Sequence, residues 1–165
     1  MLRAIAGSVV CLLILPGVAC AENALNAGAL NGNCASTSTI SSGPIGTDLT
    51  PFEKPFRCDG VTISALDADQ RRILVRFNRS AAGLRDAVGF AGSRMPNSAQ
   101  QGMGDDAIVL DSLYIGQDAP KEDHNGYCQF TFKEAQLTLV SCGAVLDENQ
   151  VRTVWMLDFE IGEKK

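Results

Sequence analysis

Apolar and polar side chains alternate most regularly between Val151 and Ile161. One face of this segment consists of Val151, Thr153, Trp155, Leu157, Phe159 and Ile161. The opposite face carries Arg152, Val154, Met156, Asp158 and Glu160. A period of two residues is typical of a strand with one buried face. The pattern therefore predicts a strand over residues 151–161.

Two shorter segments with the same period stand on either side of residues 66–70. Their apolar faces consist of Val61, Ile63 and Ala65 in the first segment, and Ile73, Val75 and Phe77 in the second. The intervening residues include Asp67 and Asp69, which favour turns through local hydrogen bonds. These features predict an antiparallel hairpin.

The middle of the chain is less regular. Ala81, Leu84 and Val88 have a loose helical spacing, which predicts about two helical turns after residue 80. Residues 89–104 show no period and predict a long loop, a kind of segment that is often functional. A continuous apolar run then predicts a strand over residues 107–115 that is buried on both sides.

Cysteine usage gives the strongest chemical signal. The stretch GYCQFTFKEAQLTLVSC runs from Gly126 to Cys142, and its apolar residues alternate with other residues between Cys128 and Cys142. A turn within residues 133–137 sets Cys128 opposite Cys142, Phe130 opposite Val140 and Phe132 opposite Thr138. Directly opposed residues at a non-hydrogen-bonded position are close enough for a disulfide. The polar pair Asn125-Gly126 at the start of this stretch and residues 143–150 after it predict connections.

Four cysteines are expected in the mature chain, and an even number after an export signal indicates two disulfides. We predict the pairs Cys34–Cys58 and Cys128–Cys142. The alternative is a metal site, which requires more ligands than this stretch holds, commonly in Cys-x₂₋₄-Cys or His-x₃₋₅-His units. The sequence therefore favours disulfides and predicts no metal and no cofactor.

The N-terminus has the features of a signal peptide over residues 1–21. Arg3 precedes a short apolar run, and Ala19-Cys20-Ala21 offers the small residues that a signal peptidase requires. The alternative is a lipoprotein in which Cys20 is the lipidated first residue. Both alternatives predict a periplasmic or extracellular protein. After the signal we expect a flexible arm over residues 22–50, rich in Asn, Gly, Ser and Thr, and a single domain over residues 51–165.

Charge narrows the range of partners. The formal net charge is −5, and Arg71-Arg72 is the most basic cluster. This balance argues against nucleic acid or an anionic membrane as a partner. Beyond the apolar run at the N-terminus, no segment approaches the roughly 20 apolar residues of a transmembrane helix.

The predicted elements give an all-β fold, either an antiparallel β-sandwich or a small β-barrel of six to seven strands, with a disordered N-terminal arm. The sequence favours a non-enzymatic binding protein that docks a protein partner, such as an inhibitor or an immunity-type factor. Phe90, Arg94 and Met95 in the predicted loop are residue types enriched at interfaces. The alternatives are a carrier of a small ligand or metal and, third, a hydrolase that uses carboxylates such as Asp105-Asp106.

Overall fold

The alternating segments form strands of one antiparallel sheet. The computed structural model describes residues 28–79, 83–95, 106–116, 118–121, 124–134 and 136–162. Within these ranges there are ten strands and one short 3-10 helix, Thr50–Phe52. The strands are β1 Gly28–Cys34, β2 Thr39–Pro44, β3 Glu53–Pro55, β4 Gly60–Ala65, β5 Arg72–Arg79, β6 Gly83–Arg94, β7 Asp106–Ile115, β8 His124–Lys133, β9 Gln136–Glu148 and β10 Val151–Ile161.

Pairing between β1 and β10 closes this sheet into a barrel. The strand order is β1-β4-β5-β6-β7-β8-β9-β10-β2-β3, and β1 also pairs with β10. A sandwich needs two sheets packed face to face, whereas here one sheet meets itself. The all-β prediction is therefore confirmed in its barrel form, with more strands than the six to seven expected.

Two of the barrel strands are interrupted. One edge of β10 pairs with β9, and the other edge pairs with β2 over residues 151–156 and with β1 over residues 159–161. In the same way β3 pairs with β2, and β4 pairs with β1. If β1 and β2 are counted as one interrupted strand, and β3 and β4 as another, the described ring has eight strand positions. These eight positions follow the order of the chain. An up-and-down ring of eight is just wide enough to be filled by side chains or to hold one small ligand.

Ser38 bridges the interruption between β1 and β2. Its hydroxyl donates to the carbonyl oxygen of Asp158 and accepts from the N–H of the same residue, both at 3.0 Å. The N–H of Ala35 donates to the same carbonyl oxygen at 2.7 Å. Because Ser38 is buried, these bonds replace the water that an unpaired backbone would need. The seam of the barrel, where β10 meets β1 and β2, is thus continuous in hydrogen bonds.

β1 and β2 correct the prediction of a flexible N-terminal arm. Residues 28–34 and 39–44, both within the predicted arm 22–50, are strands of the barrel. The backbone groups of β1 and β2 pair with neighbouring strands on both edges. This pairing offsets the conformational entropy lost when two segments with few apolar side chains become ordered. The barrel therefore begins before residue 51. The predicted signal peptide, with Cys20, lies outside the described residues.

The predicted helix after residue 80 and the predicted loop from Gly89 are wrong where β6 runs. Residues 87–92 of this strand are buried on both faces. A Cβ at Gly89 would lie 3.2 Å from side-chain atoms of both Leu74 and Tyr114, so these neighbours cover its outer side. Burial on both faces removes the alternation by which a strand is recognised. Residues 96–105, the rest of that predicted loop, lie outside the described residues.

The β8–β9 hairpin confirms the predicted cysteine pairing. Cys128 lies opposite Cys142, and their Cα atoms are 4.1 Å apart in the disulfide. The second predicted disulfide, Cys34–Cys58, is also formed, with a Cα separation of 5.0 Å. Beyond Thr131 the register shifts, so Phe132 faces Leu137 rather than Thr138. The hairpin turn is thus shorter than the predicted one.

Three strands differ in extent or burial from the prediction. Asn125-Gly126 lies within β8 instead of forming a turn. The glycine is needed there for close packing, because a Cβ at residue 126 would stand 2.4 Å from the carbonyl oxygen of Gly143. β9 continues to Glu148, and the actual turn is Asn149-Gln150, with φ values of 52° and 66°. Positive φ at both central residues is typical of a type I′ hairpin turn. In β7, burial on both sides ends at Val109, whose side chain faces solvent.

Candidate functional site

Four phenylalanines fill the interior of the barrel between the end where the chain passes from β6 to β7 and the level of Val88, which lies opposite Phe77. Phe77, Phe90, Phe130 and Phe159 are all fully buried. The rings of Phe77 and Phe90 meet edge to face, with centroids 5.6 Å apart and an interplanar angle of 84°. Both disulfides belong to the same apolar cluster. This part of the interior is therefore a packed core.

The opposite end of the interior contains a cavity of about 420 Å³. This is the end where β5 stops, β6 starts and β7 stops. Its apolar walls include Ile40, Val88, Ile115 and Trp155. A volume of this order falls in the range of small-ligand sites. The cavity is the candidate functional site.

Two strand pairs on opposite sides of the ring supply those walls. Trp155 of β10 lies directly across from Ile40 of β2, and Val88 of β6 lies across from Ile115 of β7. In the order of eight ring positions, these two pairs stand half a turn apart. Trp155 and Val88 are almost completely buried, whereas Ile40 and Ile115 are partly exposed. The indole thus forms part of the base, and the partly exposed side chains lead toward solvent.

Arg57 and Arg79 also line the cavity, and both are exposed. Arg79 ends β5 after the inward-facing series Ile73, Val75 and Phe77, so strand alternation directs it to the mouth of the barrel. Arg57 lies in the bend between β3 and β4, next to a cysteine whose disulfide holds that bend to β1. The site therefore combines apolar walls with a cationic rim.

Neither rim arginine forms an ion pair with a described residue. Other arginines of the barrel do have such partners. Arg72 makes a bidentate contact with Asp111 at 2.9 and 2.6 Å, and this hydrogen bond raises the pKa of Arg72 above its ordinary value. Arg152 binds Asp147 in the same way. Arg71 and Arg76 likewise form no ion pair with a described residue, so Arg57 and Arg79 are distinguished by their place on the rim of the cavity.

The predicted docking residues do not form one surface, and Arg94 and Met95 lie at the end of the barrel away from the cavity. Phe90 is fully buried in the core, so its predicted place in an exposed loop is wrong. Arg94 is the last residue of β6 and lies opposite the buried Ile108. It forms an ion pair with Asp106, which is only 7% exposed. Met95 is half-buried, and its N–H donates to the carbonyl oxygen of Ala107. A docking role for Arg94 and Met95 stays a prediction.

The described chain offers limited means of holding a metal. Cys34, Cys58, Cys128 and Cys142 are all consumed in disulfides. Across the described ranges, no three His, Cys, Asp or Glu side chains are grouped so that they could hold a metal ion. The described portion likewise includes no helix that is long and apolar enough to span a bilayer.

Sequence reasoning found part of this site and missed its chemistry. Trp155 was correctly predicted on the inner face of the last strand. Arg57 and Arg79 were not singled out, because nothing local distinguishes them from solvated arginines. Their role depends on ring closure, which brings the bend before β4 and the end of β5 to the same opening.

The fold and the site define a disulfide-bonded, up-and-down antiparallel β-barrel with an internal cavity at one end. Two disulfides indicate maturation in an oxidising environment. In comparisons with protein-family models, curated proteins and solved structures, none matches this chain.

Proposed function

We propose that this chain is an exported binding protein that carries a small apolar or amphipathic ligand in the barrel cavity. The observation that carries the proposal is the cavity itself, which lies beside Trp155 in a barrel whose interior is otherwise packed with Phe, Ile, Leu and Val side chains. An eight-position barrel has room either for side chains or for one small ligand. Here the side chains fill one part of the interior and leave about 420 Å³ at the other end.

Export is the second part of the proposal. The signal-like residues 1–21 and the two disulfides support a periplasmic or extracellular location. Mass spectrometry of the mature protein is expected to give an N-terminus near Glu22. A mature chain that begins at a lipidated Cys20 would support the lipoprotein alternative, and a retained Met1 would contradict export.

The ligand-carrier function can be tested with the only tryptophan of the sequence. The neutral apolar probe prodan is expected to receive excitation energy from Trp155 when it occupies the cavity. Replacing Ile115 with phenylalanine adds bulk to the cavity wall and should weaken prodan binding about tenfold, the equivalent of about 1.4 kcal/mol. Native mass spectrometry of protein purified from its source provides an independent search for a retained ligand.

Val109→Phe is the matched control for Ile115→Phe. Both residues are on β7, but Val109 faces solvent on the outer wall and is 48% exposed. We expect Val109→Phe to retain the affinity of the original protein for prodan. Equal affinities of all three proteins, with unchanged far-ultraviolet circular dichroism, would contradict a cavity site.

Protein docking is a second candidate function, favoured by the outer wall. Val109 and Tyr127 are cross-strand neighbours and are 48% and 44% exposed. Gly143 lies next to Tyr127, and beyond it Met156 is 61% exposed. Such a row of apolar side chains is compatible with an inhibitor or immunity-type contact. Its test is a double variant, Tyr127→Ser with Met156→Ser, compared with Arg94→Ala with Met95→Ala in crosslinking to a partner from the native source.

The two double variants separate the two possible docking surfaces. Loss of crosslinking with Tyr127→Ser and Met156→Ser assigns docking to the outer wall. Loss with Arg94→Ala and Met95→Ala assigns it to the end of β6. If both variants crosslink as the original protein does, neither surface docks the partner.

A further inference from the structure

We propose that the ligand of the cavity is an amphipathic anion, whose acidic head lies between Arg57 and Arg79 and whose apolar part contacts Trp155. This inference rests on the proposed ligand-carrier function and adds the chemical class of the ligand. Its basis is the distribution of polarity within one site. The walls are apolar, and the positive charges are confined to the rim.

The position of Arg79 argues against an ordinary solvated arginine. On β5 the inward row is Ile73, Val75 and Phe77, all buried, and Arg79 is the next member of that row. Strand geometry thus places its guanidinium at the opening of the apolar interior. Arg76 belongs to the opposite row of the same strand and therefore faces away from the cavity.

The charge balance near the rim also favours an external anion. The whole chain has a formal net charge of −5, and Arg72, Arg94 and Arg152 each bind a carboxylate of the chain. Among described residues, no carboxylate lies within ion-pair distance of Arg57 or Arg79. A guanidinium presents a planar fork of donors that matches a carboxylate or a phosphate. Arg71 and Arg76 also form no ion pair with a described residue, but only Arg57 and Arg79 line the cavity, where a ligand with either head would accept their hydrogen bonds.

The volume of the cavity limits the size of the apolar part. A volume of about 420 Å³ lies toward the lower end of the range of small-ligand sites. A ten-carbon chain with a compact acidic head fits this limit. Decanoate is therefore a suitable probe, and decan-1-ol is its uncharged counterpart.

The test compares these probes through the fluorescence of Trp155. The original protein should bind decanoate at least about tenfold more tightly than decan-1-ol, since a charge-assisted hydrogen bond contributes to the first complex only. The double variant Arg57→Gln with Arg79→Gln should lose this preference while its affinity for decan-1-ol stays the same. Arg76→Gln removes one charge from the outer row and should keep the preference. Decyl phosphate and decylamine complete the series, so that the carboxylate, phosphate and ammonium heads are ranked.

The outcomes separate this inference from the function on which it rests. Equal affinity for decanoate and decan-1-ol, or a preference that survives in the double variant, would overturn the anion assignment and leave the carrier function intact. Preferred binding of decylamine would also overturn it. Failure of every probe, including prodan, would reject the carrier function and the inference together.

Discussion

The hydroxyl of Ser38 holds both backbone polar groups of Asp158, donating to its carbonyl oxygen and accepting from its N–H at 3.0 Å each. At this point the Ser38 side chain thus hydrogen-bonds the backbone groups that a paired strand bonds elsewhere along β10. The contact lies where β1 ends and β2 has not yet begun, on the seam that closes the ring. The stability of the seam should depend on this one hydroxyl.

Replacing Ser38 with alanine should therefore destabilise the barrel by about 1–3 kcal/mol, because it removes two hydrogen bonds at a buried position and the acceptor of the Asp158 N–H, whereas the Asp158 carbonyl oxygen keeps the Ala35 N–H. Urea denaturation measures this change. Ser42→Ala is the matched control, because Ser42 is exposed and its hydroxyl contacts only the side chain of Thr153 among described residues. That variant should change stability by less than about 0.5 kcal/mol. Equal effects of the two variants would contradict a special role for Ser38.

The Cys128–Cys142 disulfide closes a short loop within one hairpin, with a sequence separation of 14. A loop of this length is expected to contribute about 3 kcal/mol, largely by restricting the unfolded chain. The double variant Cys128→Ala with Cys142→Ala should lower the unfolding free energy by that amount and leave the far-ultraviolet circular dichroism unchanged. If the original protein and the double variant have the same denaturation midpoint without reductant, the disulfide does not form in the isolated protein.

Gly126 of β8 lies opposite Ala144 of β9, one position from Gly143, and the two glycines differ in the space beside them. A Cβ at Gly126 would stand 2.4 Å from the carbonyl oxygen of Gly143, whereas a Cβ at Gly143 would meet its nearest atom, the carbonyl oxygen of Trp155, at 3.8 Å. Gly126→Ala should cost about 1–3 kcal/mol, because backbone must move to admit the methyl group. Gly143→Ala should be neutral or slightly stabilising. Thermal denaturation of the two variants tests the contrast, and the reverse order would contradict the close approach of the strands.

The β9–β10 turn carries a titratable ion pair at its base. Arg152 donates two hydrogen bonds to Asp147, at 2.8 and 2.7 Å, and this lowers the pKa of the Asp147 carboxyl below its ordinary value of 3.8. Because the folded-state pKa is lowered, the contribution of this pair to stability is present above pH 3.8 and is lost as the pH falls through the lowered pKa. Nuclear magnetic resonance titration should place the midpoint of Asp147 below 3.8 and show it returning toward that value in Arg152→Gln. A midpoint that Arg152→Gln leaves unchanged would show that Arg152 is not the cause.

Strands with one buried face were predictable from the sequence. In β10 the series Trp155, Leu157 and Phe159 is buried as the alternation indicates. The cysteines of the β8–β9 hairpin lie opposite each other as expected, because their register counts from a short local turn. The register shift beyond Thr131 has no local signal, so the prediction was wrong only for the pairs nearest the turn.

Elements whose environment comes from distant parts of the chain were not predictable in this way. β6 has small residues on its outer face because side chains of β5 and β7 cover it, and this produced the pattern of a loop. β1 is poor in apolar side chains and is held by hydrogen bonds to β4 and β10. The shared site of Arg57 and Arg79 was not predictable for the same reason, since only closure of the ring brings these two residues to one opening.

The neighbouring positions of β1 and β10 also set an order of events in folding. Gly32 pairs with Ile161, so the join cannot form until the final strand has been synthesised, whereas each hairpin needs only residues close together in the chain. Pairing over such a long sequence distance is slow compared with local pairing. A nascent chain should therefore spend time as an open, curved ribbon with two unpaired edges. During that interval the β8–β9 hairpin can already oxidise, and the molecule is then most exposed to edge-to-edge association with another copy.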